Sequence, residues 1–272
     1  MKRQILIIDD HDDLASSLGS VFSTDGHIVK IVDSRKEALD VEDLEQFDLV
    51  ITDLDVDRSL VGSNGDRPTQ VFGSDHPAPT SSTHVKAFKI CATNFRRDDF
   101  DEKELRDLVD TVLNFKIKYV DTKDYVKRLH ERIEFELPSS ISPMHSILEY
   151  LTQRVEKLGV INCAQSNLFV ALDEAFVNAV KHGNKFDANK LLKIVAELSP
   201  TEASFTVEDE GEGFDINSIP DPLDPENLFK SSGRGVLFIC SIMDEVKYNE
   251  RGNRLTMIKK CDNRSDSATY SE

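Results

Sequence analysis

The chain has 272 residues, 39% of them hydrophobic and 31% charged, with a formal net charge of −17. That length suits two domains better than one, and the acidic balance repels phosphate backbones, which argues against nucleic acid as a partner. No apolar run approaches the ~18 residues that a membrane span requires. The run Gln4–Ile8 is also too short for a secretory leader, so a cytoplasmic protein away from the membrane is expected. The cysteines (Cys91, Cys163, Cys240, Cys261) are scattered without CxxC spacing and read as reduced thiols.

In chain order, Gln4–Ile8 (QILII) reads as a buried strand closing on Asp9 and Asp10. Leu14, Leu18, Val21 and Phe22 then mark one helical face, ended by Gly26. His27–Asp33 alternates as a strand. Ser34 is placed as the N-cap of a second helix, with Glu37 as its capping-box partner and an end near Gln46. Phe47–Thr52 is a third strand, closing on Asp53. The order is β-α-β-α-β with acids at strand C-termini, where open α/β sheets carry their sites.

These residues resemble the first half of a response-regulator receiver domain, a flavodoxin-like, doubly wound parallel sheet. The resemblance implies that Asp9, Asp10 and Asp53 hold Mg²⁺ and that Asp53 accepts a phosphoryl group from an upstream histidine kinase. Carboxylates are the hard ligands that Mg²⁺ prefers. Past Asp57 the pattern degenerates. Ser74 and Thr93 are the candidates for the receiver's hydroxyl, Lys86 and Lys89 lie inside the strand-like run Val85–Ala92, and Asp98 stands where the family's Lys is expected. The helix Asp101–Phe115, apolar at Leu105, Leu108, Val109, Val112 and Leu113, closes a first domain over residues 1–115. Residues 116–130 are expected to continue as a linker helix.

A second domain is expected over residues 131–262, followed by a disordered tail at 263–272. It opens with a strand at Arg132–Ser140. A helix follows, with Ser142 as N-cap, Pro143 at its first position and Gly159 at its end. The next helix, Ser166–His182, places Glu174, Asn178 and His182 at i, i+4 and i+8 on one face. An Asn carbonyl suits Mg²⁺ beside phosphate oxygens, and a carboxylate one turn away can deprotonate a hydroxyl. Two strands lead to Asp209, with Gly211 and Gly213 allowing close backbone approach. An Asp there can accept a hydrogen bond from an exocyclic amine such as adenine offers. Ser232, Gly233, Arg234 and Gly235 precede a helix whose N-terminal amides suit phosphates. A hairpin turning at Arg251-Gly252 supplies the last strands.

The three motifs together resemble the GHKL ATPases, an α+β (Bergerat) ATP-binding sandwich, in their anti-sigma-factor serine kinase branch. The resemblance covers Glu131–Lys260. It implies ATP and Mg²⁺, with Glu174 as catalytic base and Asn178 as the magnesium ligand. Asp209, flanked by Gly211 and Gly213, reads adenine, and Gly233, Arg234 and Gly235 form a lid over the phosphates beside Ser232. His182 fits the same pattern as an ATP contact. The function implied is a receiver-regulated protein serine/threonine kinase acting on a STAS-type anti-sigma-factor antagonist, with a sigma factor as a second partner. Homodimers are common in that branch. Two alternatives stand beside it. A histidine kinase-like ATPase needs a two-helix phosphoacceptor segment, for which only Lys116–Glu131 with His130 is available. A non-catalytic ATP-binding module would switch partners without phosphorylating them.

Overall fold

The computed structural model describes residues 2–11, 13–41, 44–57, 84–96, 100–121, 130–161, 166–214 and 234–261. Strand β1 (Gln4–Asp9) lies between β2 (Ile28–Val32) and β3 (Leu49–Asp57), parallel to both. Its run of apolar residues is buried on both faces, as a strand covered on two sides requires. Ile5 and Ile7 join the main core with helix α1 (Ala15–Thr24), while Leu6 and Ile8 pack into a second cluster with Ala38 of α2 (Arg35–Leu39). Ser34 caps α2 through Glu37 N at 3.2 Å, as predicted, and Gly26 takes φ +89° after α1. Helix α2 stops at Leu39 rather than near Gln46, and a 3₁₀ turn at Leu44–Gln46 follows.

The fourth strand departs from the expected parallel sheet. β4 (His84–Cys91) runs antiparallel to β3, beginning at His84 directly opposite Asp57, the last residue of β3. A parallel neighbour would need a crossover returning the chain to the opposite end of the sheet. β3 also extends four residues beyond Asp53, so that aspartate sits within the strand and not at its end. Of the expected parallel sheet, the three strands β2-β1-β3 run parallel, and the sheet becomes mixed at β4.

Helix α3 (Glu102–Phe115), N-capped by Asp101, buries the five predicted apolar residues and runs on as a π turn over Lys116–Val120. The chain then returns as β5 (His130–Pro138), parallel to β4. This pairing joins the strands of the described residues into one nine-stranded sheet of order β2-β1-β3-β4-β5-β6-β7-β9-β8, with β6 (Leu191–Leu198), β7 (Glu202–Asp209), β8 (Glu245–Tyr248) and β9 (Arg254–Lys260) antiparallel to their neighbours. Helices α4 (Met144–Leu158), α5 (Leu168–Asn178) and α6 (Arg234–Ile242) pack on the face that already carries α1 and α3. One apolar core therefore runs from Ile5 to Met257. On the other face of the central strands, period-2 alternation leaves a ladder of charges. Lys89 pairs with Glu134 and Glu136 at 2.7 and 3.0 Å, and Arg132 with Glu197. The predicted Ser142 cap is absent. Pro143 occupies the N-cap of α4, and Ser140 Oγ instead accepts from Ser142 N at 3.1 Å.

Candidate functional site

Helix α5 buries Leu168, Ala171, Leu172, Ala175 and Phe176 against the sheet, which turns Glu174 and Asn178 to a half-buried flank. The helix does not continue in α register to His182. A π turn, Ala179–Gly183, follows and is closed by Asn184 N donating to Ala179 O at 2.8 Å. Such one-turn insertions recur at functional sites because they re-aim the residues beyond them. Here the strict i+4 spacing ends at Asn178. His182 is exposed, and Asn184, two residues later, is fully buried.

The turn delivers Gly183 to the end of β7. A Cβ on Gly183 would overlap the carboxylate of Asp209, and one on Gly211 would overlap Gly183 O, so the two segments interlock through glycines. Asp209 Oδ1 accepts Gly211 N at 2.8 Å, and no described residue donates to Oδ2. Burial pushes the Asp209 carboxyl above its ordinary range, outweighing the Gly211 hydrogen bond. Gly213, at φ +77°, passes so close to Arg251 O that any side chain there would collide.

The third motif meets the same helix from the other side. A Cβ on Gly235, in the first turn of α6, would overlap the Glu174 carboxylate. Glu174 therefore lies against the backbone at the start of α6, where unpaired amides gather. Arg234 is the first residue of that helix; Ser232 and Gly233 lie outside the described residues. The structure thus brings Glu174 to Gly235 and, one turn beyond Asn178, Asp209 to Gly183. Close packing at Gly183, Gly211 and Gly235 thus holds Asp209 and Glu174 at two ends of the α5 segment, with the half-buried Asn178, whose amide oxygen could serve a hard cation, between them.

The N-terminal candidates are arranged differently. Asp9 spends Oδ2 on Leu14 N and Ala15 N, at 2.6 and 3.0 Å, and Oδ1 on His11 N, so it anchors the start of α1. Asp10 accepts Asp55 N at 3.0 Å. Asp9 and Asp53 stand opposite each other on β1 and β3, and among the described residues no group of three or more His, Cys, Asp or Glu is arranged to hold a metal ion. Asp53 is buried, with Lys116 Nζ 2.6 Å from Oδ2 and Lys86 Nζ 3.7 Å from Oδ1. Lys89 is turned away to β5, and Thr93 lies beside Cys91; Ser74 and Asp98 are outside the described residues. Lys116 also reaches Asp121 at 3.6 Å, Asp121 reaches Arg154 of α4 at 3.4 Å, and Arg154 grips Glu131 of β5 through two hydrogen bonds. This buried chain of five charges was not visible in the sequence, where Lys116 carries no motif. Asn184 directly follows the π turn after α5, and only its burial marks it.

The family profile of the histidine kinase-like ATPase domain matches residues 137–259. The serine-protein kinase RsbW of Staphylococcus epidermidis is 30% identical over 146 residues, spanning 51% of this chain and 87% of its own length. The serine-protein kinase RsbW of Staphylococcus aureus strain JH9 is 29% identical over 135 residues, spanning 47% of this chain and 85% of its own.

Proposed function

Because the chain belongs to the histidine kinase-like ATPase family, together with the serine-protein kinase RsbW, we propose that it is an ATP-dependent protein serine/threonine kinase. The observation that carries this reading is the convergence on one helix: Glu174 against Gly235 at the start of α6, and Asp209 against Gly183 just past Asn178. Glu174 takes the proton of a substrate hydroxyl as general base. Asn178 offers a neutral oxygen to Mg²⁺, and the α6 amides face the phosphates. Asp209 accepts the adenine amine. Bound ATP with Mg²⁺ supplies the phosphoryl group and screens its charge, and the protein's part is positioning and electrostatic stabilisation. The substrate is the serine of a STAS-type anti-sigma-factor antagonist, and a sigma factor is the second partner.

The N-terminal unit serves in this reading as a regulatory half. Its support is physical continuity, since the sheet and the Asp53–Lys116–Asp121–Arg154–Glu131 chain both run into the ATP-binding half. Phosphoryl acceptance at Asp53 requires that carboxylate first to leave Lys116, because its side chain is 2% exposed. His130, the phosphoacceptor of the histidine-kinase alternative, lies in β5 beside Val85 and not on a helix.

The test is incubation with γ-labelled ATP and a purified antagonist. Label is expected on an antagonist serine, and Glu174→Gln is expected to lower transfer by ~10²–10⁴-fold while nucleotide still binds. Tight partner binding with no transfer by the unaltered chain would sink the kinase reading and leave the partner-switching module.

A further inference from the structure

We infer that Asn184 and Asn253 are specificity-determining positioning residues, which clamp the Asp209 backbone from two sides and so fix the carboxylate that reads the base. The inference rests on the nucleotide-pocket reading above and adds residues that act through Asp209 without touching nucleotide.

On one side stands Asn184, 0% exposed. Its Oδ1 accepts Glu210 N at 2.8 Å, its Nδ2 donates to Leu191 O at 2.9 Å, and Glu210 Oε2 accepts Leu191 N at 2.8 Å. Three hydrogen bonds close a ring around the end of the β6–β7 pair, one residue after Asp209. Both ends of the Asn184 amide are used, so its orientation is set by the network. On the other side the β7–β9 ladder ends at Glu208 opposite Arg254. Asn253 then holds Asp209 by both backbone groups: Asp209 N donates to Asn253 O at 3.0 Å, and Asn253 Nδ2 donates to Asp209 O at 2.7 Å.

Asn253 is itself fixed. Its Oδ1 accepts Asn249 Nδ2 at 3.0 Å, while Asn249 Oδ1 gathers the amides of Gly252, Asn253 and Arg254 at 2.9, 3.1 and 3.2 Å. From the same hairpin Arg251 donates to Gly211 O at 2.8 Å. No described residue donates a side-chain hydrogen bond to the Asp209 carboxylate, so its direction is inherited from a backbone held at both flanks. A buried polar group whose partners are all satisfied rigidifies its surroundings, and truncating it leaves the partners unpaired.

The experiment is direct titration of the full chain with ATP and with inosine triphosphate, which presents a carbonyl where adenine presents its amine. The unaltered chain is expected to prefer ATP by at least ~10-fold, because a site built for a donor rejects an analogue lacking it. Asn253→Ala and Asn184→Ser are expected to weaken ATP binding by ~10-fold and to bring the two nucleotides within about threefold of each other. In a transfer assay the same variants should raise KM for ATP with kcat within about twofold. Asn184 is fully buried and its variant can fail to fold; Asn253, at 7% exposure, then carries the test alone. Variants that melt earlier yet keep the full ATP preference show a merely structural role and overturn the inference. An unaltered chain with no ATP preference removes the pocket reading itself, a result distinct from selective wild type with equally selective variants.

Discussion

Replacing Lys116 with methionine tests how the two halves of the sheet are held together. The ammonium is 3% exposed and lies 2.6 Å from Asp53 and 3.6 Å from Asp121, with the Phe88 ring face 4.6 Å away. Burial alone would lower its pKa, but Asp53 and Asp121 outweigh burial and raise it above the usual lysine value. A raised cationic pKa stabilises fully below the unfolded value and fades only as pH climbs through the folded one, so the interaction is intact across pH 5–9. Removing one partner of a buried pair costs about 3–5 kcal/mol, chiefly because a charge is left uncompensated. Lys86 Nζ, 3.7 Å from the other Asp53 oxygen and more exposed, offers partial relief. That places the expectation near 3 kcal/mol, or roughly 6–12 °C in Tm for a domain of this size. Urea unfolding at pH 7 measures it. The double variant Lys116→Met with Asp53→Leu removes both charges and should recover at least half the loss, since apolar replacement of a buried pair is often neutral. A single variant within about 1 kcal/mol of wild type, or a double variant as unstable as the two singles added, would refute the reasoning.

Two further outcomes follow from local contacts. Burial raises the Glu134 carboxyl, but Lys89, Lys193 and Arg132 more than offset it and hold it down at about 2. A depressed carboxylate contributes stability above its unfolded pKa and loses it as pH falls through the folded one. Glu134→Gln should therefore be about 3 kcal/mol less stable than wild type at pH 7, with the gap closing between about pH 5 and pH 2 in acid unfolding; a gap that does not vary with pH contradicts the assignment. Gly235→Ala should fold normally, because alanine favours helix, yet its Cβ displaces the Glu174 carboxylate. Phosphoryl transfer should drop by ~10²-fold or more with Tm nearly unchanged, and an unaltered rate would show that Glu174 is not held where the chemistry needs it.

Local pattern carried most of the elements. The five apolar positions of α3, the Ser34 cap and the two strands that lead to Asp209 all follow from short-range rules and stand in the structure as read. The antiparallel β4 did not, because the direction of a strand depends on how the chain arrives and leaves no mark on the strand's own sequence. The central helix failed in a more instructive way. A 3.6-residue period predicts one continuous face through His182, but a π turn has no propensity signature and can be seen only as a backbone bond. Among the described residues the chain uses that device twice. Asp121 N closes the turn on Lys116 O and Asn184 N closes the turn on Ala179 O, each at 2.8 Å, and in both cases the closing residue is a buried polar side chain. Widening the last turn by one residue lets the chain leave the helix with a polar group directed inward, where a regular α end would direct it to solvent. Asp121 then joins the ion chain that spans β3, α4 and β5, and Asn184 joins the clamp at Asp209. If that geometry is what seats them, deleting one residue from Ala179–Gly183 should restore α register, expose position 184 and weaken ATP binding even with Asp209 intact.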